Sequence, residues 1–138
     1  MSQRPLGRDF NVISEASGIH IPLNEVGGVT FVSFVSTGDN TLTLKESIAG
    51  ASEQNLVEID TVYKAPGIGG TWTKVVQTAA ATFTNADATN DMFAIYVRAR
   101  SLSDGFDSIE ATVDAGTCFA ILHDLAYRGA PEGLASSV

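Results

Sequence analysis

The chain has 138 residues, a net charge of −8 and a pI near 4.5, with 44% hydrophobic and only 17% charged residues. That length suits one domain able to bury a core of its own, and that composition excludes a chain disordered throughout. The basic residues Arg4, Arg8, Lys45, Lys64, Lys74, Arg98, Arg100 and Arg128 are scattered. Neither nucleic acid nor an anionic membrane is therefore expected as a partner, because affinity for phosphates needs clustered Lys and Arg.

In chain order, residues 1–9 read as an arm, with Pro5, Gly7, Arg4 and Arg8 and little to bury. The arm has no apolar stretch of signal-peptide type, and no run reaches membrane-helix length, so synthesis and folding in a cytoplasm are expected. Residues 10–15 and 18–23 read as two short extended pieces, with Pro22 restricting the second to a sheet edge.

Residues 29–36 are apolar on both alternating faces, the pattern of a strand covered on both sides. After a turn at 37–40, residues 41–46 alternate cleanly, with Leu42 and Leu44 facing in. The two runs together predict a hairpin. Residues 47–55 read as a short helical turn or an irregular stretch, with Gly50 against a longer helix.

Strand character returns at 56–64, with Val57, Ile59, Thr61 and Tyr63 placed on one face. The loop Pro66-Gly67-Ile68-Gly69-Gly70 leads to a strand at 71–76, which holds Trp72, and a weak strand at 78–84. A polar loop at 85–91 precedes a strand at 92–100, with Phe93, Ile95, Val97 and Ala99 inward and Tyr96, Arg98 and Arg100 outward. Ile109, Ala111 and Val113 face in along 108–114, and 117–127 forms a closing strand bent near His123. The sum is an all-β chain, an antiparallel sandwich (jelly-roll-like or barrel-like) of roughly eight or nine strands. Its parts are the arm at 1–9, the sandwich domain at 10–128 and a tail at 129–138.

No set of residues assembles a reaction centre in the sequence. Cys118 lies in an apolar run and reads as a small buried hydrophobe. His20 and His123 are the sole histidines, and one metal site using both would need distant segments to meet. No Gly-x-Ser-x-Gly elbow accompanies His123-Asp124. The loop 66–70 lacks the Lys-Ser/Thr of a phosphate loop, so a contact loop at a sandwich end is the functional reading. Asn85, Asp87, Thr89 and Asp91 place oxygens at alternate positions, as calcium requires, but without the central Gly and distal Glu of a calcium-binding loop. Asp104, Asp107 and Glu110 would be the further ligands. Tyr63, Trp72 and Tyr96 could line a sugar platform or pack across strands. Neither catalysis nor a cofactor or metal is expected. Contact with a partner or a neighbouring subunit is assigned to Arg4, Arg8, Pro66, Gly67, Ile68, Gly69, Gly70, Arg98 and Arg100.

The succession Thr41-Leu42-Thr43-Leu44-Lys45-Glu46, Gly70-Thr71-Trp72-Thr73-Lys74-Val75, Thr78-Ala79-Ala80-Ala81-Thr82-Phe83-Thr84, Ile95-Tyr96-Val97-Arg98-Ala99, Cys118-Phe119-Ala120-Ile121-Leu122 and Tyr127-Arg128-Gly129 resembles the small accessory head proteins of tailed bacteriophages. The resemblance spans residues 29–129. It implies a β-sandwich that decorates the exterior of an assembled capsid, often as a trimer where subunits of the major capsid protein meet. The stretch 48–70 is longer than in that pattern, and the C-terminal tail is additional. The alternative function is a carbohydrate-binding β-sandwich of a tail or surface appendage.

Overall fold

A computed structural model describes residues 10–35 and 38–124. The arm with Arg4 and Arg8, residues 36 and 37 of the first turn, the end of the closing strand and the 129–138 tail lie outside the described residues. Among the described residues eleven strands follow one another: β1 (Phe10–Glu15), β2 (Ile21–Pro22), β3 (Gly28–Phe34), β4 (Asn40–Ile48), β5 (Ala51–Asn55), β6 (Ile59–Ala65), β7 (Thr73–Ala80), β8 (Thr82–Asn85), β9 (Met92–Arg98), β10 (Ser108–Val113) and β11 (Thr117–His123). A 3-10 turn at Ala99–Ser101 separates β9 from the loop before β10.

The strands form two antiparallel sheets. One has the order β1-β11-β3-β9-β6-β7, the other β2-β10-β4-β5, with β8 also paired to β4. The chain is an all-β sandwich, as its short alternating runs predict. Among the described residues only β4–β5 and β6–β7 are hairpins within a sheet, and the other connections cross between sheets. That back-and-forth is the connectivity of a jelly-roll-like sandwich.

The core is built by alternation. Val29 and Phe31 of β3, Leu42 and Leu44 of β4, Phe93, Ile95 and Val97 of β9, Ile109 and Ala111 of β10 and Ala120 and Leu122 of β11 are buried between the sheets. Each large one contributes about 1.5–3 kcal/mol by leaving water. The rings of Phe83 and Phe93, 5.2 Å apart edge to face, join β8 of one sheet to β9 of the other. Pro22 lies in an edge strand, where its missing N–H leaves no gap in a ladder.

Several local expectations change. The runs 29–36 and 41–46 are not a hairpin: β3 pairs with β11 and β9, while β4 lies in the opposite sheet. Asn40 ties that crossing, its Nδ2 donating to Ser33 Oγ (2.7 Å), which donates to the Thr117 carbonyl (2.9 Å). Nor is β3 covered on both sides, since Phe34 is exposed and Thr30 and Val32 only half-buried. Residues 47–55 are no helical turn. They complete a hairpin in which Ile48 faces Ala51 across Ala49 (φ 51) and Gly50 (φ 87), both left-handed as a type I′ turn requires.

In β6 the pairing with β7 slips between Ile59 and Thr61. Burial therefore falls on Ile59, Val62 and Ala65, and Val57 and Tyr63 are exposed. The stretch 71–84 divides differently as well. Trp72 precedes β7, and Ala81 carries the chain from β7 to β8 in the other sheet. Arg98 ends β9, whereas Arg100 sits in the 3-10 turn, so the two do not share a strand face.

Cys118 is buried, and that burial, with the nearby Glu15 carboxylate, pushes its thiol up to about 12, as an inert structural cysteine requires. Glu15, its cross-strand partner, is also buried. Desolvation, opposed by the Ala16 N–H and assisted by Glu110, lifts its carboxyl from 4.5 to about 8. The fold therefore holds Glu15 protonated where the unfolded chain has ionised it. The contribution of Glu15 to stability is full below pH 4.5 and is lost as pH rises toward 8. Denaturant melts across that window should show the decline, and Glu15→Gln should flatten it. Ala49→Asn, which suits the left-handed first position of the turn, should stabilise the chain by about 1 kcal/mol, read as a higher Tm.

Candidate functional site

The outer face of the six-stranded sheet is unusually apolar for a solvated surface. The register aligns Ser14, Phe119, Val32, Ala94, Tyr63 and Lys74 in one row across the strands. A second row runs Val12, Ile121, Thr30 and Tyr96. Phe34, between Thr117 and Met92, belongs to a third. Val12, Phe34, Tyr63, Tyr96 and Phe119 are all exposed, so the apolar side chains here continue across strands instead of standing singly.

Tyr63, Trp72 and Ala94 line a shallow apolar recess of about 400 Å³ on this face. Trp72 is 47% exposed and Tyr63 45%, so both are open to solvent. Trp72 reaches this place because the loop before β7 returns the chain beside β6. Tyr96 packs elsewhere, its ring 5.9 Å from that of His123.

The loop at 66–70 is pinned at the end of the same sheet. Gly69 N–H donates to the Pro66 carbonyl (3.0 Å), and Gly67 N–H donates to Asp91 Oδ1 (2.7 Å). The Phe34 ring lies against Gly67 so closely that a Cβ there would overlap it. From this clamped turn Ile68 projects with its side chain wholly in solvent, at 100% exposure. A fully exposed isoleucine on a held turn has the geometry of a contact residue, since little ordering remains to be done on binding.

The remaining predicted site residues lie elsewhere. Arg98, at the other end of β9 and about 20 Å along the strand from Met92, lines a polar recess with Glu58, Asp60 and Ser101. The 66–70 loop and Arg98 are therefore two places, and Arg100 is exposed on the 3-10 turn. The calcium pattern at 85–91 is spent on the loop itself. The Asp87 carboxylate accepts from Thr89 N, Asn90 N, Asn90 Nδ2 and Lys64 Nζ, and Asn85 Oδ1 accepts from Asp87 N. The Asn90 and Lys64 donors hold Asp87 far below the usual carboxylate range. Asp107 caps the β4–β5 turn through Ala49 N–H (2.8 Å) and does not join that loop.

The two histidines are separate. His123 Nε2 bonds Thr30 Oγ1 (2.8 Å), while His20 lies beside Glu53 and Glu110. Two features escaped sequence reasoning. The exposed apolar rows were signalled by the double-faced apolarity of β3, which reads equally as two-sided burial. The meeting of His20 with Glu53 and Glu110 has no local signal.

No family model and no curated protein matches the chain. Among solved structures, that of Eiger TNF from S. frugiperda aligns over 91% of this chain and 92% of that chain, at 7% identity and a TM-score of 0.29. A likeness that remote carries no argument about fold or function.

The clamp and the tip should separate in mutants. Ile68→Asp should leave stability within about 0.5 kcal/mol, because the side chain touches nothing that folding buries. Gly67→Ala, which drives a methyl into the Phe34 ring, should cost about 1–3 kcal/mol. Urea melts of both variants measure the difference.

Proposed function

We propose that the protein is a structural subunit of a tailed-phage virion that decorates the capsid exterior and stabilises the shell. The observation that carries this reading is the apolar outer face of the six-stranded sheet, ending in the clamped loop with exposed Ile68. Burial of such a face against protein is favourable at about 25 cal/mol per Å². The function asks of the chain a stable β-core and adhesive margins, and it assigns no chemistry to any residue. The pattern resemblance of residues 29–129 to accessory head proteins supports the same reading. The major capsid protein is the proposed partner and a homotrimer the proposed form, with many copies adding avidity to weak single contacts. Ile68 with its loop, Arg98 and Arg100 are the proposed contact points among the described residues.

A second reading rests on one observation, the recess lined by Tyr63, Trp72 and Ala94. Two exposed aromatic side chains lining one recess suit stacking against a sugar ring. In that case the chain is a carbohydrate-binding module of a tail or surface appendage.

Light scattering on the purified chain and co-sedimentation with shells assembled from phage major capsid protein test the first reading. Trimer mass and saturable occupancy are expected, with Ile68→Asp lowering affinity by about tenfold (about 1.4 kcal/mol). A monomer that ignores shells but binds a glycan array, and loses that binding on Trp72→Ala, would establish the second reading instead.

A further inference from the structure

We propose that His20, Glu53 and Glu110 form a binding site for a divalent transition cation of the Zn²⁺ class, with one imidazole nitrogen and two carboxylate oxygens as ligands. The three come from separate elements: His20 immediately before β2, Glu53 on β5 and Glu110 on β10. Their ligand atoms all lie within 4.8 Å of one another.

The decisive atom is His20 Nε2. It stands 3.6 Å from Glu53 Oε2 and 3.8 Å from Glu110 Oε2, too far for a hydrogen bond to either. It is nonetheless buried and has no other hydrogen-bond partner, in a residue only 9% exposed. A buried imidazole nitrogen aimed between two carboxylates and bonded to neither is a rare arrangement in a folded chain. Two ligands about 2.1 Å from a shared ion stand about 3.4 Å apart at the tetrahedral angle, and the two separations from His20 Nε2 exceed that by about 0.2–0.4 Å.

The backbone is built to present these groups. Ile48 pairs with Ala51 and Glu46 with Gln54, which leaves Ser47 opposite both Ser52 and Glu53. Ser52 takes the left-handed conformation this bulge needs (φ 57), and a bulge re-aims the side chain beside it. Glu110 is fixed by Gly18 N–H, which donates to Oε2, the same oxygen that faces His20. Glu110 is buried and Glu53 is 38% exposed along its side chain, so an ion has a route in from solvent.

The surroundings favour a cation. Lys45 of β4 is the nearby opposing charge acting on Glu53, and the chain carries −8 overall. A mixed imidazole and carboxylate set suits Zn²⁺ better than Mg²⁺ or Ca²⁺, which prefer oxygen alone. A bound ion would pin the β4–β5 hairpin and the segment before β2 to β10, with water or a partner's ligand completing its coordination.

The test is calorimetric titration of ZnCl₂ and MgCl₂ into the full chain after treatment with EDTA, near neutral pH, with melting curves in parallel. One Zn²⁺ per chain is expected, with a Tm increase of roughly 5–10 °C at a hundredfold excess over Kd and no matching response to Mg²⁺. Glu53→Gln, at a partly exposed position that leaves the fold intact by its own metal-free melt, should weaken Zn²⁺ binding about tenfold or more. His123→Ala should leave it unchanged. Absence of saturable Zn²⁺ binding would mean that His20 and the carboxylates are only an ion-paired cluster, and would overturn the proposal. So would wild-type affinity in Glu53→Gln, or loss of binding in His123→Ala.

Discussion

The sandwich depends on β4. This nine-residue strand gives one edge, from Leu42 to Ser47, to β10 and divides the other between β8, opposite Asn40 to Thr43, and β5, opposite Lys45 to Ile48. Its inward Leu42 and Leu44 lie fully buried under the facing sheet. A strand that must satisfy three partners fixes where the chain can cross between sheets. The Ala81 carbonyl accepts from Leu44 N–H where β7 passes into β8, and Leu56 N–H donates to the Leu44 carbonyl where β5 leaves for β6. Both crossings are thus tied to one residue, so a shift in β4 register would turn Leu42 and Leu44 to solvent and unpair both.

The two sheets then acquire different exteriors. On the five-stranded sheet, the positions that alternate with the core carry Thr41, Thr43, Lys45 and Glu110. On the six-stranded sheet the same phase carries Val12, Val32, Phe34, Tyr63 and Phe119. An apolar outer phase adds little to the stability of an isolated chain, because its side chains remain in water. That asymmetry is the feature on which the proposed association rests.

Polar groups inside the sandwich are placed with equal selectivity. Burial would raise Glu46, but the N–H and hydroxyl of Ser103, together with the Gln54 amide, hold it below its ordinary value. The loop that follows the 3-10 turn is thereby anchored to β4. Glu15 receives no such set of donors and keeps its proton instead. At Glu15 burial and the like charge of Glu110 outweigh the Ala16 and Ala111 N–H donors, whereas at Glu46 the donors outweigh burial.

What the sequence by itself determined was local. Alternation placed Leu42 and Leu44, then Phe93, Ile95 and Val97, then Ile109 and Ala111, on inward faces, because neighbouring side chains in a strand point to opposite sides. Turn chemistry located the loops at 66–70, 85–91 and 103–105, and the apolar run around Cys118 marked a buried thiol. Tertiary structure decided the rest. It set β3 beside β11 and β9 instead of β4, turned Tyr63 outward past the slip in β6, left Val57 exposed ahead of that strand, and brought His20 to Glu53 and Glu110 while leaving His123 beside Thr30. A strand carries its period in its own residues, but its partner is chosen by which distant apolar faces can be buried together, and no local pattern records that choice.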